Sequence, residues 1–176
     1  MPESSLNEYK NWPAHEIFSK SCILPETPFS IRLDGWKFKK VSEAINAEKP
    51  FDEKFAKCLV FSGKALFIKG FNPTLVYVAS DELNVLFLNT LPFHGRVEKT
   101  DSVLAGVVSS AFSLSLQKLF GREPVLAFDS RVVIVHNEDK IIDYLSWRQM
   151  SSWRNHNKSV CLLGSPQNRV QIIRDS

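Results

Sequence analysis

Two segments, IRLDGWKF at 31–38 and YVASDELNVLF at 77–87, each run a hydrophobic, strand-like stretch into a carboxylate that apolar patterning cannot explain. The carboxylates are Asp34 and Asp81. If the two strands lie side by side, both acids arrive at one edge of a sheet, close enough to share a pair of divalent cations. That is the arrangement of metal-assisted phosphoryl or nucleotidyl transfer.

The elements around these segments alternate between strand and helix. Residues 1–27 are polar, with Pro25 and Pro28 around their end, and read as a short helix followed by an extended lead-in. Phe29–Leu33 alternates as a strand that Asp34-Gly35 ends. A Lys/Phe-rich turn follows, and then Phe51–Lys69, where Phe55, Leu59, Phe61, Leu66 and Phe67 recur near helical spacing before Gly70 and Pro73 stop them. Thr74–Ala79 and Asn84–Leu88 read as strands joined by a tight hairpin at Ser80–Leu83, which puts Asp81 at the tip. Lys99–Leu119 is a long helix whose Ala and Gly positions permit close packing on a sheet. Phe120–Pro124 breaks it, Val125–Phe128 and Arg131–Val135 are strand joined at Asp129-Ser130, and Asp139–Ser152 is helical. This order predicts an α+β fold of the split βαβ, ferredoxin-like kind, with helices covering one face of a mostly antiparallel sheet and Asp34 and Asp81 on adjacent central strands.

Two aspartates suffice for the chemistry. Magnesium prefers oxygen ligands and is usually held by one or two carboxylates, with water and substrate phosphates completing its shell. In a two-metal site about 3.5–4 Å across, one ion activates the attacking hydroxyl and the other stabilises the leaving oxygens. Gly35 has no Cβ, so its carbonyl can turn toward a cation and a phosphate can approach its backbone. Lys37, Lys39 and Lys40 supply positive charge close by. A strand ending in Asp-Gly and a hairpin carrying Ser-Asp-Glu are also ordinary turn chemistry, so spacing alone leaves a structural reading open beside the catalytic one.

Composition narrows the remaining classes. The chain has 176 residues, 44% of them hydrophobic and 11% aromatic, which is enough for one ordinary core. Its net charge of +3 is uneven: Arg148, Arg154, Lys158, Arg169 and Arg174 face only Asp143 and Asp175 over 141–176, which leaves 1–140 neutral. A basic C-terminal segment fits a polyanionic partner, and equally a solvated charged face. Cys22, Cys58 and Cys161 are odd in number and match no zinc spacing, which points to a reduced intracellular compartment. The histidines at 15, 94, 136 and 156 form no metal motif. MPESSLNEYK lacks the apolar core of a secretory signal. The longest uncharged run falls short of the roughly 20 residues of a membrane span, so a cytoplasmic location without membrane partners is expected.

The blocks RLDGWKFKK, KPFDE, YVASDELNVLF, GRVEK, FDSRVVIV and DYLSWRQ, in this order, resemble the signature blocks of tRNA(His) guanylyltransferase and its relatives, the Thg1-like 3′–5′ tRNA polymerases. The resemblance spans about residues 15–157. It implies a polymerase palm-like catalytic domain over 28–157, with 1–27 as a lead-in and 158–176 as a divergent tail. It also implies an enzyme that adds nucleotides to the 5′ end of tRNA, in which the 3′-hydroxyl of an incoming nucleotide attacks an activated 5′ phosphate and pyrophosphate or AMP leaves. Two Mg ions, GTP and a second substrate, ATP, are implied with it, as is a homodimer or homotetramer.

Residue by residue, Asp34 and Asp81 match the family's metal-binding aspartates, and Gly35 the glycine whose carbonyl completes one metal site. Asp34, Gly35, Trp36, Lys37, Phe38 and Lys39 match the segment that wraps the nucleoside triphosphate, with Ser80 beside it. Lys49, Arg96, Lys99 and Arg131 fall where the family places cations for triphosphate or 5′-phosphate groups. Glu82 stands next to the site. Arg148, Arg154 and Asn155 are candidate RNA contacts, with Trp147 expected to anchor the last helix on the core while its arginines face out.

Two departures refine the resemblance. Where eukaryotic-type members carry His-Ile-Asn-Asn, this chain has Trp153-Arg154-Asn155-His156, which with the lead-in is similar to the archaeal or bacterial type that repairs 5′-truncated tRNAs. The closing CLLGSPQNRVQIIRDS has no recognisable counterpart. Two alternatives stand beside nucleotide addition: a weakly active or inactive nucleotide- or RNA-binding remnant of the family, and a nucleotidyl cyclase-like enzyme.

Overall fold

The computed structural model describes residues 12–49 and 51–163 of the chain. Four strands, β1 (Phe29–Gly35), β2 (Leu75–Ala79), β3 (Glu82–Phe87) and β4 (Phe128–Ile134), form one sheet in the spatial order β2-β3-β1-β4, and every neighbouring pair is antiparallel. Four helices join them: α1 (Phe38–Ala44), α2 (Glu53–Ile68), α3 (Val97–Phe120) and α4 (Glu138–Leu163). Short 3-10 turns lie at Trp12–His15 and Pro92–Gly95. The split βαβ order expected from the sequence is therefore present, with β1 and β3 as the two central strands.

Alternation along the central strands decides what each face becomes. Phe29, Ile31 and Leu33 of β1 and Leu83, Val85 and Phe87 of β3 point to one side and are buried. They meet Cys58, Leu59 and Leu66 of α2 and Leu104, Val108, Phe112 and Leu116 of α3 in the main core. In α3 the buried positions Thr100, Leu104, Val108, Phe112 and Leu116 recur every four residues, one continuous ridge along the helix. By length and composition α3 could cross a membrane. Its ridge is instead spent on this core, and Gly121, in the left-handed region at φ 63°, ends it. Asp52 starts α2 by accepting hydrogen bonds from Phe55 N at 2.9 Å and Glu48 N at 2.8 Å.

The opposite face carries Ser30, Arg32 and Asp34 of β1 and Glu82, Asn84 and Leu86 of β3. Helix α4 lies over it: Tyr144 packs with Leu86 and Val135, and Ile141, Leu145, Leu88 and Val133 close around them. Helices thus cover both faces, not the one expected. Because β3 is central and sandwiched, all six of its residues are buried.

Other boundaries also shift. The Lys/Phe-rich turn contains α1, nucleated by Phe38 and Val41 dropping into the core. The hairpin loop shrinks to Ser80 and Asp81, since Ala79 already pairs with Glu82. Asp129 and Ser130 do not interrupt a strand but lie within β4, opposite Asp34 and Leu33. Helix α4 continues through the expected boundary at 157 as far as Leu163. The first part of the lead-in and the tail beyond Leu163 lie outside the described residues. The rest of the lead-in is tied down where Ile23 N donates to Gly95 O at 2.8 Å and Val97 N to Ser21 O at 3.0 Å. Gly95 has φ +79°, and a Cβ there would stand 2.4 Å from the Ile23 carbonyl oxygen, so this close approach requires glycine.

Candidate active site

Asp34 and Asp81 meet at one end of the sheet. Asp34 is the sixth residue of β1, while Asp81 shares the two-residue turn before β3 with Ser80, whose φ of 59° gives the tight reversal. Since β3 runs beside β1, the turn comes to rest on the end of β1, and Gly35 N–H donates to the Asp81 carbonyl oxygen at 3.2 Å. Burial, reinforced by the negative charge of Asp34, holds the Asp81 carboxyl above the usual carboxylate range, against the Ser80 hydrogen bond that lowers it.

The chain leaves this edge by a path that only glycine allows. A Cβ on Gly35 would fall 2.3 Å from the ring of Phe38. That ring is locked among Phe112 and Phe128, with centroids 5.2 and 4.8 Å away. Trp36 N–H, donating to Ala127 O at 2.9 Å, fastens the next residue to the segment before β4. Phe38 was expected in the nucleotide-binding segment; its side chain is core, 3% exposed, and it serves that segment by backing Gly35. Trp36 is exposed, with Lys37 Nζ 4.1 Å from its ring centroid, and Lys39 and Lys40 are exposed on α1.

The other candidate cations lie on separate elements. Arg131 stands opposite Arg32 on β4 and pairs with Asp129 at 3.0 Å. Arg96 and Lys99 flank the N-terminus of α3, exposed, with Lys99 over the Phe93 ring at 4.8 Å. Asp101, one turn on, accepts a 2.5 Å hydrogen bond from Ser130, which lies across from Leu33, so the start of α3 is held to β4, the neighbour of the strand that bears Asp34. Burial raises the Asp101 carboxyl. Lys49 is exposed between α1 and α2, and no ion pair among the described residues joins it to the carboxylates.

Behind the rim lies a charge cluster that sequence reasoning missed. Arg32 Nη2 donates to Asp34 Oδ2 at 2.5 Å, and its Nε to Glu82 Oε2 at 2.9 Å. Arg148 on α4 donates to both Glu82 oxygens at 2.5 Å, and Asn84 Nδ2 adds a fourth bond to Glu82 at 2.9 Å. Tyr144 OH donates to Asn84 Oδ1 at 2.5 Å. Burial opposes the Arg32 charge, but Glu82 and Asp34 outweigh it and hold its pKa above the ordinary value. Burial and the charge of Glu82 push the Tyr144 hydroxyl up. A signal existed: Arg32 shares a strand face with Asp34, and Glu82 and Asn84 alternate as polar residues in an otherwise apolar strand.

The orientation expected for Trp147 and Arg148 on α4 is reversed, while Arg154 faces out as expected. Arg148 is turned inward, its side chain 13% exposed, because Glu82 offers it a buried carboxylate. Trp147 is 52% exposed and Trp153 66%. Arg154 is exposed and reaches Met150 O of its own helix at 3.4 Å, and Asn155 is exposed one residue on.

The donor set at the rim consists of oxygens alone. Among the described residues no cluster of three or more His, Cys, Asp or Glu could cage a metal ion. A pair of carboxylates suits a hard cation that keeps water or phosphate in its shell. A cleft of about 460 Å³, lined by Thr27, Leu88, Asn89 and Asn137 among others, is at the opposite end of the sheet and takes no part.

Residues 9–136 match the model of the Thg1 family, tRNAHis guanylyltransferase. The chain belongs to this family. A probable tRNA(His) guanylyltransferase of Drosophila melanogaster is 34% identical over 130 residues, which make up 72% of this chain and 46% of that protein. The tRNA(His) guanylyltransferase of Saccharomyces cerevisiae is 29% identical over 163 residues, 89% of this chain and 67% of that one. The chain thus spans less than half of the fly relative and two thirds of the yeast one. Among solved structures, the yeast enzyme superposes with a TM-score of 0.71 at 30% identity, over 78% of this chain and 63% of that one. A bacterial Thg1-like protein in complex with GTP shares the fold, with a TM-score of 0.77 at 23% identity over 92% of this chain and 77% of that one.

Proposed function

We propose that this Thg1-family chain is a tRNA 5′-end nucleotidyltransferase that adds nucleotides in the 3′–5′ direction. The observation that carries the proposal is the meeting of Asp34, Gly35 and Asp81 at the rim of a split-βαβ sheet, where buried negative charge raises the Asp81 carboxyl. In this reading Asp34, Asp81 and the Gly35 carbonyl hold two Mg²⁺ ions. Bound there, the ions would lower the pKa of the attacking hydroxyl and neutralise charge on the leaving oxygens.

The rest of the work is positioning. Lys37, Lys39, Lys49 and Arg131 draw in the polyphosphate. Arg96 and Lys99 do the same at the N-terminus of the 24-residue helix α3, whose dipole favours anions. Ser80 and the exposed Trp36 border the nucleotide. The bond from the incoming 3′-oxygen to the tRNA 5′ phosphorus forms as the bond to pyrophosphate or AMP breaks. GTP and ATP are the proposed substrates; support comes from bacterial proteins of like fold solved with each. Repair of 5′-truncated tRNA in the cytoplasm is the role proposed, from Trp153-Arg154-Asn155-His156 in place of the eukaryotic-type block.

The test is to incubate the protein with Mg²⁺, labelled GTP and a tRNA lacking its first nucleotide. Label in the tRNA is the expected result. Cyclised nucleotide would indicate a cyclase-like enzyme, and binding without turnover a remnant; either overturns the proposal.

A further inference from the structure

We infer that Arg148, on the helix covering the sheet, is a positioning residue for Asp34, acting through Glu82 and Arg32; the inference rests on reading Asp34 and Asp81 as cation ligands. Glu82 is 3% exposed and accepts four hydrogen bonds, two from Arg148 and one each from Arg32 and Asn84. A carboxylate offers about four acceptor positions, so the partners already present use the capacity of Glu82, and it does not serve as a further ligand. What it can do is hold Arg32. The guanidinium is planar and rigid, so fixing Nε on Glu82 fixes the direction of Nη2, which meets Asp34 Oδ2. That contact engages one of the two Asp34 oxygens.

The charges balance only with Arg148 in place. With it, two arginines serve two acids, Glu82 and Asp34. Without it, Arg32 alone must neutralise both, and the more deeply buried Glu82 has the stronger pull. Arg32 then swings toward Glu82, and Asp34 loses the contact that sets its rotamer. The seating of α4, through one side chain, governs how well the rim is organised to take a cation.

Mn²⁺ titration of the full chain without nucleotide, followed by electron paramagnetic resonance, tests this. Wild type is expected to bind Mn²⁺, and Asp81→Ala to lose it. Arg148→Met is expected to weaken binding about 10-fold, the lower end of what loss of a direct partner of a metal ligand costs, since Arg148 reaches Asp34 only through Glu82 and Arg32. Arg148→Lys, which restores charge but not the fork, should fall between; if the methionine variant does not fold, the lysine variant decides in the same direction. Val133→Ala loosens the packing under α4 without touching the brace, and should melt lower yet bind Mn²⁺ as wild type does. Wild-type affinity in the Arg148 variants, or an equal loss in Val133→Ala, would overturn the inference while leaving the metal site standing. Unchanged Mn²⁺ binding in Asp81→Ala would overturn the metal reading and this inference with it.

Discussion

Asp81 and Glu82 are adjacent acids at the same end of the sheet, and their surroundings are opposite. Asp81 sits in the turn, where burial and the charge of Asp34 make its ionisation unfavourable. Glu82 begins β3 and is clamped by Arg32, Arg148 and Asn84. One step along the chain separates a turn carboxylate, Asp81, that makes no ion pair among the described residues from a backing cluster that compensates its own charge. The proposed cation site needs both, since the rim must want charge and the cluster must keep the rim in place.

Substitutions can break that contrast. In stability the largest effect is expected at Glu82: Glu82→Ala leaves the half-buried Arg148 without its carboxylate and Arg32 with Asp34 alone, and should lower unfolding free energy by about 3 kcal/mol in denaturant titration. Gly35→Ala, between the two regions, drives a methyl into the Phe38 ring. An overpacking loss of about 1–3 kcal/mol is expected by the same measurement.

At Asp81 the expected sign reverses. Its folded pKa lies above the unfolded one, so its ionisation penalises the folded state. The penalty is absent below the unfolded pKa of about 4, grows as pH rises through the raised value, and is full above it. Without metal, Asp81→Asn should therefore melt above wild type at neutral pH, with the gap closing toward about pH 4. A melting curve for Asp81→Asn that lies below wild type at pH 7 would show that Asp81 is stabilised like Glu82, and the contrast would be lost.

The legible part of the molecule was the part written in local pattern. Asp34-Gly35 ends a period-2 run and Ser80-Asp81 interrupts another, so the two acids and the order of elements could be read directly. The backing cluster was legible only in part: Glu82 and Asn84 alternate as polar residues in an apolar strand, but their pairing with residues 32 and 148 across the sheet has no periodic signature. Arg148 reads as a solvent-facing RNA contact because an arginine beside a tryptophan that anchors the helix is free to pair with phosphates, and only the buried Glu82 reverses that orientation. Helix α1 was hidden for a related reason. Phe38 and Val41 are too few to show a helical period, and what forms α1 is the core that receives them.

The most direct test of the account is transfer of labelled GTP to a tRNA lacking its first nucleotide, measured for wild type, Asp34→Ala and Asp81→Ala at equal folded concentration. The account predicts label in the tRNA with wild type and none above background with either variant, while circular dichroism shows both folded. Near wild-type transfer by either folded variant would contradict it.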